Sequence, residues 1–82
     1  MYIHLGGDKI VRTSEVIAIF DITIEESSAE SKAFLEHARK NNKMETIGEE
    51  EPKSLVVTAD KVYYSPISSA TLKKRAQQPL AL

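Results

Sequence analysis

Glu15-Val16-Ile17-Ala18-Ile19-Phe20-Asp21-Ile22-Thr23-Ile24 is the most strand-like stretch of this 82-residue chain, and its reading decides the fold. In an extended backbone, successive side chains point to opposite faces. Val16, Ala18, Phe20, Ile22 and Ile24 then share one face, and Ile17, Ile19, Asp21 and Thr23 the other. Both faces are apolar at the start, and one turns polar later. That pattern predicts a central strand covered on two sides, by helices or by another subunit.

Upstream, Tyr2-Ile3-His4-Leu5 alternates and runs into Gly6-Gly7-Asp8, a turn signal, after which Ile10-Val11 gives a second short strand. Downstream, Ser27-Ser28-Ala29-Glu30 reads as a capping box with Ser27 as the cap. Glu25, Glu26 and Glu30 crowd the positive end of the helix that follows, and Arg39, Lys40 and Lys43 its negative end. Glu36 and Lys40 are spaced as a favourable pair, and Asn41-Asn42 is a left-handed stop. A helix over 28–41 follows, with a narrow apolar stripe of Ala33, Phe34, Leu35 and Ala38.

Residues 43–53 form a polar loop, with a short strand around Met44 to Ile47 and three glutamates, Glu49, Glu50 and Glu51, between Gly48 and Pro52. Ser54–Thr58 and Lys61–Tyr64 form a hairpin about Ala59-Asp60, and Ser68 or Ser69 caps a short basic helix through Lys73, Lys74 and Arg75. The order predicts one α+β domain over 1–76, with a mainly antiparallel sheet, one central helix and a short C-terminal helix. Residues 77–82 are expected to be a flexible tail.

A chain of this length buries only about 60–65% of the surface its unfolded form exposes, so small domains recruit disulfides, metals or partner copies. Cysteine is absent, and His4 and His37, the only imidazoles, belong to no spaced ligand set. No metal or cofactor is expected, and self-association is the support that remains. No apolar run approaches the ~20 residues that span a bilayer, and the opening MYIHLGGDKIV is not a secretory signal, so a cytoplasmic protein without membrane contact is expected.

The serines sit in caps and turns, and Gly6-Gly7 lacks the ending of a phosphate-binding loop, so no catalytic residue is assigned and no enzyme is expected. Charge is the more informative signal. Residues 1–60 carry seven bases against twelve acids, while residues 61–82 carry four bases and no acid. Two basic clusters result, Arg39, Lys40 and Lys43 after the central helix and Lys73, Lys74 and Arg75 near the C-terminus. Their plainer role is to balance helix ends; their sharper one is phosphate contact, which needs more cations than one copy offers unless copies repeat the cluster. The apolar strand surface in 15–24 and 54–64 is likewise either core or a subunit interface.

The block Tyr2-Ile3-His4-Leu5-Gly6-Gly7-Asp8-Lys9-Ile10-Val11 running into Glu15–Asp21, the helix ending Ala38-Arg39, and the late hairpin Ser54–Val57 and Val62–Ser65 carry a resemblance. Over about residues 1–75 the chain resembles the Rem family of bacterial extracellular matrix regulatory proteins, found in spore-forming Firmicutes. The resemblance implies activation of matrix and biofilm genes and, through one branch of the family, a ring-like homo-oligomer that binds DNA. It further implies, as partners, other copies of this chain, promoter DNA or a relative from the same family.

In the DNA-binding relatives, a loop between the helix and the late hairpin carries paired arginines that face DNA. The corresponding loop here is Gly48-Glu49-Glu50-Glu51-Pro52, with the charge reversed. Carboxylates there repel phosphate, so the arginine role passes to none of them. Lys73, Lys74 and Arg75 lead as DNA-contact candidates, with Arg39, Lys40 and Lys43 beside them, and Glu49–Glu51 are candidates for a protein partner. Two readings stand: a DNA-binding or transcription-associated oligomer, and an oligomeric module that regulates through a protein partner without touching DNA.

Overall fold

The computed structural model describes residues 1–77. Its elements are β1 (Tyr2–Gly6), β2 (Lys9–Arg12), β3 (Val16–Asp21), α1 (Ala29–Lys40), β4 (Met44–Thr46), β5 (Ser54–Thr58), β6 (Val62–Ser65) and α2 (Ser69–Gln77). Short 3-10 turns lie at Thr13–Glu15 and Ile22–Glu26. β1 and β2 form an antiparallel hairpin, and the other strands form a sheet in the order β3-β5-β6-β4. Only the β4–β6 pair is parallel. The α+β class and the mainly antiparallel sheet are as the sequence predicts. Helix α2 runs one residue past the expected domain boundary, and the rest of the expected tail, 78–82, lies outside the described residues.

Three layers result. On one face of the sheet, the hairpin and α2 pack Ile3, Leu5, Val11 and Leu72 against Val56 and Tyr63. On the other, α1 packs Leu35 and Ala38 against Leu55 and Val62, with Ile22 and Ile24 of the 3-10 turn beside them. β5 is the strand buried on both faces, Leu55 at 1% and Val56 at 0% exposure.

β3 is therefore not the central strand that its sequence suggests. It lies at the sheet edge, with β5 as its one strand partner among the described residues. Periodicity reports how many faces of a strand are apolar, not how many neighbours it has. The expected faces also shift. Val16 pairs with Thr58 but Ala18 with Val57, so Ile17 is an extra residue, a β-bulge, in β3. Past the bulge the alternation changes phase, and Val16 and Ile19 together face the hairpin layer.

The helix cap differs by one residue. Ser27 has helical dihedrals, and its N–H and hydroxyl both donate to the Ile24 carbonyl, closing the 3-10 turn. A cap needs extended backbone, which Ser28 has at φ −161° and ψ 162°. Its Oγ accepts from the Ser31 N–H at 3.1 Å and donates to the Ser31 hydroxyl, so Ser31 takes the place expected of Glu30. At the other end Asn42 adopts φ 56°, the left-handed stop foreseen at Asn41-Asn42. Ser68 caps α2, accepting from the Thr71 N–H at 3.3 Å.

The hairpin is tied to the sheet by serine hydroxyls. The β1 ladder shifts register between His4 and Gly6, where Leu5 sits. Ser65 Oγ, fully buried, donates to the Leu5 carbonyl at 2.6 Å and accepts from the Ile67 N–H at 3.1 Å. Its cross-strand partner Ser54, equally buried, donates to the Ile67 carbonyl at 2.8 Å. Gly6, at φ +114°, lies so close to Pro66 that a Cβ would meet its Cγ at 2.9 Å. Replacing Ser65 by Ala orphans a buried carbonyl and should cost about 1–3 kcal/mol. Urea unfolding followed by far-UV circular dichroism should show a lower midpoint at unchanged slope.

Candidate functional site

All six candidate DNA-contact residues are exposed, but the fold does not gather them into one patch. Arg39, Lys40 and Lys43 end the helix that covers one face of the sheet. Lys73, Lys74 and Arg75 lie on α2, which covers the opposite face. A single copy cannot lay both clusters on one duplex.

Several of these cations also have structural partners. Arg75 donates from Nη1 to the His4 carbonyl at 3.0 Å, bracing α2 against β1. Lys73 lies close enough to Asp21 to help hold that carboxyl below its ordinary range, an effect due first to the hydrogen bond from the Thr23 N–H. Arg39 donates to the Tyr64 hydroxyl at 3.2 Å, and that hydroxyl donates to the Glu25 carboxylate. Lys40, Lys43 and Lys74 carry no ion pair among the described residues. Elsewhere, Lys61 and Lys9 share Glu45, at 3.0 and 3.7 Å, and Lys9 also stands over the Tyr63 ring. The Lys61 hydrogen bond is the main reason the Glu45 carboxyl lies below its usual range.

Glu49–Glu51 form the exposed bend between β4 and β5. Glu51 lines one shallow depression with Asp21 and Ser68 and a second with Glu25, Arg39 and Tyr64. The loop therefore adds negative charge at an end of the sheet that already holds two carboxylates. Among the described residues no group of three or more His, Cys, Asp or Glu could hold a metal ion, and no helix is long and apolar enough to cross a membrane.

The apolar strand surface divides cleanly. The 54–64 run is mostly core, with Leu55, Val56, Val62 and Tyr63 buried, and its apolar side chains reach the surface chiefly through the half-buried Val57 and Tyr64. The 15–24 run is different. Between β3 and α1 opens a groove of about 340 Å³, with Leu55 and Val57 at its floor and Ile17, Phe20 and Phe34 along its walls. Those three are 69%, 37% and 50% exposed. Phe34 is not legible in the sequence as a surface residue, because its place in the α1 stripe reads as core; the groove emerges only once α1 is seen to cover part of the face.

Away from the groove, Tyr64 links Arg39 near the end of α1 to Glu25 of the 3-10 turn. Partial burial, and then the hydrogen bond that the phenol donates to the Glu25 carboxylate, push the phenol above its ordinary value. A raised pKa means the folded state holds the proton more tightly. The stabilisation is fully present below about pH 10, the usual phenol value, and is lost as pH rises through the folded value. Alkaline absorbance titration should show a late tyrosine ionisation that Tyr64→Phe abolishes.

The family model described as RemA-like, extracellular matrix regulatory protein A-like, matches residues 2–76. The chain is 44% identical over 79 residues to extracellular matrix regulatory protein B of Bacillus subtilis (strain 168), covering 94% of this chain and 91% of that protein. The chain belongs to the RemA-like family.

Proposed function

We propose that this chain is a non-enzymatic regulator of extracellular matrix and biofilm gene expression, working as a homo-oligomer that contacts promoter DNA from inside the cell. The open apolar groove between β3 and α1 carries the reading. A small domain that leaves Ile17, Phe20 and Phe34 in solvent forgoes apolar burial that a neighbouring copy can restore. Family membership and the name of the Bacillus subtilis relative support the regulatory role.

Assembly also bears on DNA affinity. Each neutralised phosphate contributes a salt slope of about −0.9. One copy with two or three uncommitted lysines therefore binds weakly, and a ring that presents the same lysines several times binds usefully. Lys74 and Lys73 on α2 are the residues best placed for this role; Arg75 is used in bracing β1, so its removal would confuse binding with folding. The exposed Glu49–Glu51 bend favours a second reading, in which the assembly regulates by engaging a protein partner, for instance a family relative, through that loop.

The two readings separate in one experiment. Electrophoretic shift of matrix-gene promoter DNA by the oligomer should weaken steeply with salt. Replacing Lys73 and Lys74 by Ala should flatten the slope by roughly one for each phosphate that is no longer neutralised. An oligomer that gives no shift at low salt, yet releases a captured family relative when Glu49–Glu51 become glutamines, overturns the DNA reading in favour of the second.

A further inference from the structure

The β3–α1 groove continues beyond its apolar floor. A second depression, of about 320 Å³, shares Ile17, Phe34 and Val57 with it, so the two form one channel beside α1. Between Glu30 and His37 the helix carries that channel over about 10 Å. The lining changes character on the way. At one end it is apolar apart from Glu30 and Ser31, and the Ser31 hydroxyl is taken up by the Ser28 cap. The other end holds Lys43, Lys61 and His37, with Asp60 the one acid that lines it. Lys61 is held by Glu45, whereas Lys43 has no ion pair among the described residues. Lys43 is firmly rooted all the same. Its N–H donates to the Ala38 carbonyl at 2.8 Å, and its carbonyl accepts from the Val62 N–H at 2.7 Å.

We infer that the channel binds a single-chain anionic amphiphile, a fatty acid in chemical class, with its tail along Ile17, Phe34 and Val57 and its carboxylate at Lys43. The space suits a small ligand, whose sites begin at about 300 Å³. The lining suits an alkyl chain better than an extended peptide. A peptide laid there would bury backbone groups that need partners, and the apolar stretch offers them almost none. Charge sets the direction. A carboxylate is repelled by Glu30 and attracted by Lys43, so the head group lies at the α1 C-terminal end. Such a ligand covers Ile17 and Phe34, which the proposed assembly also uses, so chain binding and self-assembly compete for one surface. The ligand site itself does not require the assembly.

Equilibrium dialysis of the full chain against octanoate and decanoate, below their micelle concentrations, tests the site. Binding should saturate and tighten by about fourfold for each further methylene that enters the channel. Lys43→Glu should weaken decanoate by about tenfold and strengthen the cationic decyltrimethylammonium. That reversal of head-group preference is something a misfolded variant would not give. Ile17→Asp, at a side chain already in solvent, should abolish binding of both. Sedimentation velocity with and without decanoate reads the competition, and the assembled mass should fall as the ligand is added. Decanoate that fails to saturate, or that wild type and Lys43→Glu bind equally, overturns the ligand site. If the wild type is then an oligomer that Ile17→Asp takes apart, a second copy is the occupant and the assembly reading stands. Saturable, Lys43-dependent binding by a wild type that stays monomeric supports the ligand site and overturns the assembly.

Discussion

The arrangement depends on how a two-stranded hairpin is fastened to a sheet it does not hydrogen-bond through strands. An isolated hairpin is marginal in water, and β1–β2 gains its place by burying Ile3, Leu5 and Val11 and by handing the Leu5 carbonyl to Ser65. Apolar burial alone would let the hairpin slide, since it is non-directional. The hydroxyl fixes the register. Ser54 and Ser65 also hold both backbone groups of Ile67, so the turn into α2 is set by the same two residues. Arg75 then returns from α2 to β1, closing a loop of contacts from hairpin to sheet to helix and back. The outer face of the hairpin is thereby held in a constant relation to the groove on the far side of the sheet.

Charge is organised by layer rather than by net value. The total is −1, yet one basic cluster sits on each side of the sheet and the acids of the β4–β5 bend gather at an end. Arg39, Lys9, Lys61 and Arg75 are each held by a neighbour, which leaves a few lysines to act outward. Such a surface is a poor polyanion binder taken singly and a reasonable one when repeated, because counterion release grows with every phosphate neutralised.

Much of this is legible in the sequence. The Gly6-Gly7 turn, the Ala59-Asp60 hairpin, the helix with its Asn42 stop and the short strand at Met44 all follow from local chemistry, and local chemistry is what a sequence states directly. The misreadings are tertiary or depend on a single residue. Whether β3 lies in the middle or at the edge depends on whether another strand pairs along its free side; β1 and β2 pair with each other instead, and no property of residues 15–24 encodes that. The bulge at Ile17 reverses an alternation that looks regular on paper. Ser27 and Ser28 are equivalent in composition, and only the 3-10 turn before them decides which becomes the cap. The basic clusters are readable as residues, but their spacing does not say that α1 and α2 cover opposite faces.

The same bulge has a protective side. A long, flat, apolar border strand is a template for amyloid, because identical copies can stack on it indefinitely in register. One surplus residue in β3 breaks the even spacing of its backbone groups and adds local twist. The strand can keep its sticky side chains on show while denying its backbone to runaway stacking.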